Sequence, residues 1–265
     1  MIKEVFKKSK LFVFDMDGTI YLGNRVFPEA ISFIKTLRKK GKKVLFFTNN
    51  ASTNPIVYYE RLERMGFEPQ EGEIMTSGDV TVSFLKKYRD GKKVFLLGTE
   101  DLKNQFVNEG ITLTKDADIV VSSFDKTLTY EKLTIACTLI RNGAEFLCTH
   151  PDFNCPTENG PIPDSGAIVA AITASTGKAP RYFGKPYTDT LDMICKIEGV
   201  EPEEICVFGD RLYTDIALSK CIEGHPASSV LTLTGESTME DVRKATGGSV
   251  PDIIVNDLAE CEAAL

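Results

Sequence analysis

The chain has 265 residues, 42% of them hydrophobic and 26% charged, with a formal net charge of −7. That length and balance suit a folded protein of one large or two modest domains and exclude a disordered chain. The acids are spread along the sequence and Lys and Arg form no stripe interleaved with aromatics, which disfavours nucleic acid and anionic membranes as partners.

"MIKEVFKKSK" at the start is basic but carries no apolar signal core, and no later apolar run approaches a membrane span, so the expected location is cytoplasmic. Cysteines stand at Cys137, Cys148, Cys155, Cys195, Cys206, Cys221 and Cys261 without a CxxC pair, and the histidines are only His150 and His225. Neither a disulfide framework nor a zinc site is expected from such a pattern.

Strand-like and helical patterns then alternate along the chain. "KLFVFD" predicts a strand ending at Asp15; "EAISFIKTLRKKGK" carries Ile31, Ile34 and Leu37 at helical spacing and stops at Gly41. "KKVLFFTNN" predicts the next strand, and "PIVYYERLERMGF" a helix opened by Pro55 and closed by Gly66. The rhythm resumes with a strand over 92–98, a helix over 100–109, a strand over 118–124, a helix over 130–142 and a strand over 144–150. A polar loop, "PDFNCPTENGPIPDSG", precedes the helix "AIVAAITAS". The last block reads as a helix over 188–198, the strand "EICVFGD", a helix over 213–219, the strand "SSVLTLTG" and the strand "DIIVND". Such alternation predicts an α/β fold with a doubly wound parallel sheet, either as one large sheet or as two, with the middle block inserted into the first domain.

In open α/β sheets, ligands gather beyond the carboxyl ends of the strands. "FVFDMDG" ends in Asp15, "VLFFTNN" in Thr48, "RYFGKP" in Lys185 and "ICVFGDRLYTD" in Asp210, with Asp215 beyond it. Brought together, these residues fit phosphoryl transfer at a divalent metal. Asp15 and Asp210, with help from Asp17, would hold Mg²⁺, which prefers hard oxygen ligands. Thr48, Asn49, Asn50 and Lys185 would hold the phosphoryl oxygens. Asp15, fixed at its strand end, suits a nucleophile that forms an aspartyl phosphate, while Asp17 in the turn suits the general acid and base. Gly18 would let the turn approach phosphate, and Thr19 would orient Asp17.

"DMDGT", "FFTNN", "GKP" and "GDRLYTD" resemble, in order, the four motifs of the haloacid dehalogenase superfamily. "DMDGTIYLGN", "FFTNNAS" and "TLTGES" resemble its NagD-like, or p-nitrophenyl phosphatase, branch. The resemblance implies a Rossmann-like catalytic core over 1–78 and 181–265, with an inserted α/β cap over 79–180 that reads the substrate. It further implies a Mg²⁺-dependent phosphatase acting on small phosphorylated metabolites, with the first Asp as nucleophile and the Asp two later as acid/base, and in this branch often a homodimer paired through the cap. The alternatives are a phosphotransferase or phosphomutase, a phospho-accepting switch domain and a haloalkanoic dehalogenase; the last needs neither the metal nor Asp17.

Several residues carry a second reading. Asp215 either caps the helix near it or orients the metal ligands. Asn49 and Asn50 are also ordinary turn formers. In the loop from 149 to 166, Asp152, Asn154 and Asp164 are candidate substrate contacts, whereas His150, Cys155 and His225 read as structural.

Overall fold

Leu11, Phe12, Val13 and Phe14 form an unbroken apolar run whose side chains are all buried, which is what a strand covered on both faces requires. The structure, a computed structural model, describes residues 2–155, 157 and 159–265. In chain order the strands are β1 (Leu11–Phe14), β2 (Tyr21–Leu22), β3 (Arg25–Val26), β4 (Lys43–Thr48) and β5 (Ile74–Thr76), then β6 (Val94–Leu97), β7 (Ile119–Ser122) and β8 (Glu145–Cys148). There follow β9 (Asn154–Cys155), β10 (Ile162–Pro163), β11 (Arg181–Tyr182), β12 (Ile205–Gly209), β13 (Ser228–Thr232) and β14 (Ile253–Val255).

These strands build two main sheets, each in its own unit. One unit comprises residues 1–48, 58–75 and 185–265, the other 49–57 and 76–184. Where the sequence reading draws an insert over 79–180, the second unit takes 76–184 together with the segment 49–57 after β4.

The first unit holds a six-stranded sheet in the order β14-β13-β12-β1-β4-β5. β1 lies inside it, parallel to β12 with Phe14 opposite Phe208 and parallel to β4 with Phe14 opposite Phe46. An aromatic cluster fills one face: the Phe14 and Phe208 rings stack at 4.6 Å, and Phe33 lies 5.6 Å from Phe208. Phe6, from the helix Ile2–Lys8, joins them at 5.5 Å from Phe12. The sequence pattern does not mark that helix, because Phe6 is its one buried residue and lysines dominate the local pattern.

The second unit holds a parallel four-stranded sheet, β11-β8-β7-β6, with its own apolar core around Phe95, Val120, Phe146 and Ile172. Its helix Ser77–Tyr88, another element the sequence pattern left unmarked, starts at a capping box between Thr76 and Asp79. The polar loop 149–166 contains the short antiparallel hairpin β9–β10; its positions 156 and 158 lie outside the described residues. Among the described residues no helix is long and apolar enough to cross a membrane.

Two predicted elements change character. The sequence sets "RYFGKP" among the strands whose ends meet at the site, but Arg181–Tyr182 pairs with β8 in the second sheet, so Lys185 does not end a strand of the six-stranded sheet. The predicted helix over 213–219 opens as a wide π turn, Leu212–Ile216, in which the Ile216 amide donates to the Arg211 carbonyl at 3.2 Å.

Phe208→Ala should cost about 3–5 kcal/mol, as large-to-small changes in aromatic cores do. Urea unfolding followed by circular dichroism measures this, and a loss below about 1 kcal/mol would show that the stack is not the centre of the core.

Candidate active site

Asp15 is placed by the sheet itself. Its amide donates to the Phe208 carbonyl at 2.9 Å, continuing the β1–β12 ladder one residue beyond the strand. Its side chain therefore leaves the carboxyl edge of β1, where β12 delivers Asp210 one residue past its own end. The turn after Asp15 is tight: the Met16 carbonyl accepts from the Ile20 amide at 3.0 Å, and Gly18 donates to the Tyr21 carbonyl at 2.7 Å. Gly18 adopts φ +93°, a conformation that favours glycine. Asp17 sits partly buried on this turn.

Asp15, Asp210 and Asp215 each offer a carboxylate oxygen within 4.8 Å of the others. Two cations offset them. The Lys185 ammonium pairs with Asp15 and lies 2.7 Å from Asp215 Oδ1, with the Phe47 carbonyl at 3.5 Å. Since Thr48 follows Phe47 at the end of β4, the ammonium marks the sheet edge where Thr48 stands. Lys185 itself comes from the connection leading to the helix Thr188–Glu198 and is only 3% exposed. Arg211 supplies the second cation, ion-paired with Glu236 at 2.9 Å.

Burial, together with the Asp215 charge and against the pull of Lys185, holds the Asp15 carboxyl up at about 6. Burial again, followed by the charges of Asp15 and Asp215, pushes Asp210 up to about 8. For Lys185 burial works the other way, but the neighbouring Asp15 and Asp215 outweigh it and keep its pKa above the usual lysine value. Burial likewise opposes the Arg211 charge and is outweighed by Asp15 and Asp210. The cluster is therefore short of positive charge at both carboxyls, and more so at Asp210 than at Asp15.

That shortage bears on a metal. Asp210 is 2% exposed; its Oδ2 accepts from the Glu236 amide at 2.7 Å, while its Oδ1 is buried with no hydrogen-bond partner among the described residues. An orphaned buried carboxylate oxygen is costly unless something meets it. Asp15 and Asp210 fit a small hard dication, which takes carboxylate oxygens and retains water.

The remaining candidates fall into place unevenly. Asp215 caps no helix: it lies inside the π turn, where its Oδ2 accepts from the Arg211 amide at 3.0 Å and its Oδ1 faces Lys185. Thr19 is fully buried and its hydroxyl meets no hydrogen-bond partner among the described residues, so it does not hold Asp17 by a hydrogen bond. Asn49 and Asn50 pack with the second unit: Asn49 Nδ2 donates to Asp152 at 3.1 Å, and Asn50 Oδ1 accepts from the Ser52 amide at 2.9 Å, an Asx turn.

In the loop from 149 to 166, Asp164 is no open contact: it is 3% exposed, caps the helix Ser165–Thr176 and lies 2.8 Å from His150 Nε2. His150 is fully buried against it, with Thr149 Oγ1 at 2.8 Å from Nδ1. Asn154 is exposed, and Cys155 is partly buried. His225 lies on the surface beside Glu203. Sequence reasoning missed Arg211 and Glu236, although "GDRL" sets an arginine directly after Asp210 and "TLTGES" carries the glutamate.

Asp210 gives a pH signature. With its folded value near 8 against an ordinary 3.8, the unfolded chain releases this proton first, so metal-free protein loses stability as pH rises from about 4 to about 8. Asp210→Asn removes the titrating group. In chelator, the variant should melt several degrees above the parent at about pH 9 and close to it at about pH 4, as read by thermal denaturation; parallel profiles would contradict the assignment.

Comparison with known proteins agrees with this geometry. Residues 12–112 match a family model described as haloacid dehalogenase-like hydrolase, and residues 182–261 one described as HAD-hydrolase-like. An acid sugar phosphatase of Staphylococcus aureus is 34% identical over 261 residues, which cover 98% of this chain and 99% of that one. The structure of a 4-nitrophenylphosphatase from Thermotoga maritima superposes with a TM-score of 0.91 at 42% identity, covering 98% of each chain. A glycerol phosphate phosphatase of Mycobacterium tuberculosis in complex with magnesium superposes at 0.88 with 28% identity, covering 97% of this chain and 77% of that one. The chain belongs to the haloacid dehalogenase-like hydrolases, in their NagD-like, 4-nitrophenylphosphatase branch.

Proposed function

We propose that the protein is a Mg²⁺-dependent phosphomonoesterase that works through an aspartyl phosphate at Asp15. One observation carries this reading: a strand-end carboxylate, paired with a buried lysine, stands beside a second buried carboxylate with one oxygen unmet.

An Asp15 carboxylate oxygen attacks phosphorus as the ester P–O bond breaks, and Asp17 gives its proton to the departing alkoxide. Water then attacks the acyl phosphate; Asp17 takes the water's proton, the bond from phosphorus to the Asp15 oxygen breaks, and phosphate leaves with the Asp15 carboxylate restored. Lys185 keeps Asp15 ionised and, with Thr48 and the turn at Asn49 and Asn50, meets the phosphoryl oxygens. Asp15 and Asp210, with help from Asp17, would hold Mg²⁺, which would supply charge neutralisation for the carboxylate cluster and the phosphoryl group. Asp215 fixes Lys185.

The relatives' names, acid sugar phosphatase and glycerol phosphate phosphatase, point to small phosphorylated sugars or polyols as substrates here as well. The unit of 76–184 serves as the cap that selects among them. A homodimer through that unit and a cytoplasmic location complete the proposal.

A panel of phosphorylated sugars and polyols, with 4-nitrophenyl phosphate as reference, tests the reading by release of inorganic phosphate. Asp15→Asn should lower kcat by about a thousandfold or more while circular dichroism stays unchanged, and chelator should silence the parent. Phosphate transfer between substrates without net release would replace hydrolysis by a mutase reaction, and turnover by Asp15→Asn would remove the nucleophile.

A further inference from the structure

The segment Thr234-Gly235-Glu236-Ser237 has no part in the chemistry above, yet it wraps Asp210. The Ser237 amide donates to the Asp210 carbonyl at 3.1 Å, and the Glu236 amide to Asp210 Oδ2 at 2.7 Å. Thr234 Oγ1 donates to the Gly18 carbonyl at 2.6 Å, joining this segment to the turn that carries Asp17. The Ser237 hydroxyl accepts from the Leu212 amide at 3.3 Å, anchoring its far end at the start of the π turn.

Two glycines close on the Asp210 carboxylate. A Cβ on Gly18 would stand 2.6 Å from the Asp210 Cγ, and one on Gly235 would stand 2.5 Å from that atom and 2.6 Å from the Asp210 Cβ. At Gly18 the positive φ already calls for glycine; Gly235 has no such backbone requirement, so its lack of a side chain is purely a matter of space. The carboxylate is held on two sides and one of its oxygens is committed to an amide. The other oxygen, Oδ1, is thereby left without a partner among the described residues.

We propose that Gly18 and Gly235 form a slot that fixes the side-chain angle of Asp210, and that Thr234–Ser237 is the positioning segment of the divalent-cation site. Glu236 occupies Oδ2 so that Oδ1 alone is presented, and Thr234 holds the two walls of the slot together. The segment also keeps Arg211 in place, since the Glu236 carboxylate forms an ion pair with Arg211 at 2.9 Å and accepts from the Tyr213 hydroxyl at 2.8 Å. The proposal rests on Asp210 as a metal ligand and adds the residues that aim it.

Calorimetric titration of metal-free protein with MgCl₂ tests it. Gly235→Ala should fold and bind Mg²⁺ about tenfold to a hundredfold more weakly, the range seen when partners of metal ligands are lost. Its apparent KM for Mg²⁺ should rise in step, with kcat at saturating Mg²⁺ recovering most of the parent value. An affinity within about twofold of the parent, or a fall in kcat with unchanged affinity, would overturn the slot. If the added methyl prevents folding, Thr234→Val decides instead: it should weaken Mg²⁺ binding severalfold with the Thr234→Ser variant restoring it, and equal binding by all three proteins would overturn the proposal. A parent that binds no Mg²⁺ would overturn the metal reading underneath, an outcome distinct from a parent and a Gly235→Ala variant that bind equally well.

Discussion

The pairing of Lys185 with Asp15 and Asp215 is the interaction on which the site depends. Three carboxylates with oxygens within 4.8 Å of one another would expel themselves from a buried sheet edge without positive charge among them. Lys185 and Arg211 meet part of that need, and they leave Asp210 less compensated than Asp15. A site built this way is stable enough to fold and remains short of one cation. That is the condition under which a buried acid is worth keeping.

The sheet makes this arrangement possible because parallel strands bring their carboxyl edges together. β1 lies between β12 and β4, so Asp15 and Asp210 leave adjacent strands and the end of β4 is next in line. Local deviations do the fine placement. The π turn at Leu212–Ile216 carries Asp215 back over Arg211, and a Cβ on Gly209 would come within 2.5 Å of Asp215 Oδ2, as glycines also make room for Asp210. Close approach of backbone to carboxylate thus recurs throughout the site. Each instance exchanges a side chain for precision in where an acid points.

The second unit carries a separate sheet, a separate core and a polar network of its own. His150 and Asp164 are buried there as partners, a use of charged and polar groups that ties the start of the loop at Thr149 to the first turn of the helix Ser165–Thr176. Histidine in such a setting is held by neighbouring oxygens, and it is structural before it is anything else.

Much of this was legible in the sequence, and for a local reason. An apolar run that ends in Asp, Thr or Gly-Asp marks a buried strand and the polar edge beyond it, because both signals lie within a few residues of chain. β1, β4 and β12, the acids Asp15 and Asp210, and the helix Thr188–Glu198 followed from such runs. What depended on distant chain segments did not. The sequence offered "RYFGKP" as one more strand end, whereas tertiary pairing gave Arg181–Tyr182 to the second sheet and delivered Lys185 from a connection. It also left Asp215 between a helix cap and an orienting role at the site, and Asp164 as a candidate substrate contact; folding made one the partner of Lys185 and the other the buried partner of His150. Sequence determined that Asp15, Thr48 and Asp210 stand at the ends of buried strands, since strand formation is set by neighbours in the chain. Tertiary structure alone decided which charges share one buried space and which glycines flank them, since that follows from crossovers bringing residues 18, 185, 210 and 235 to the same place.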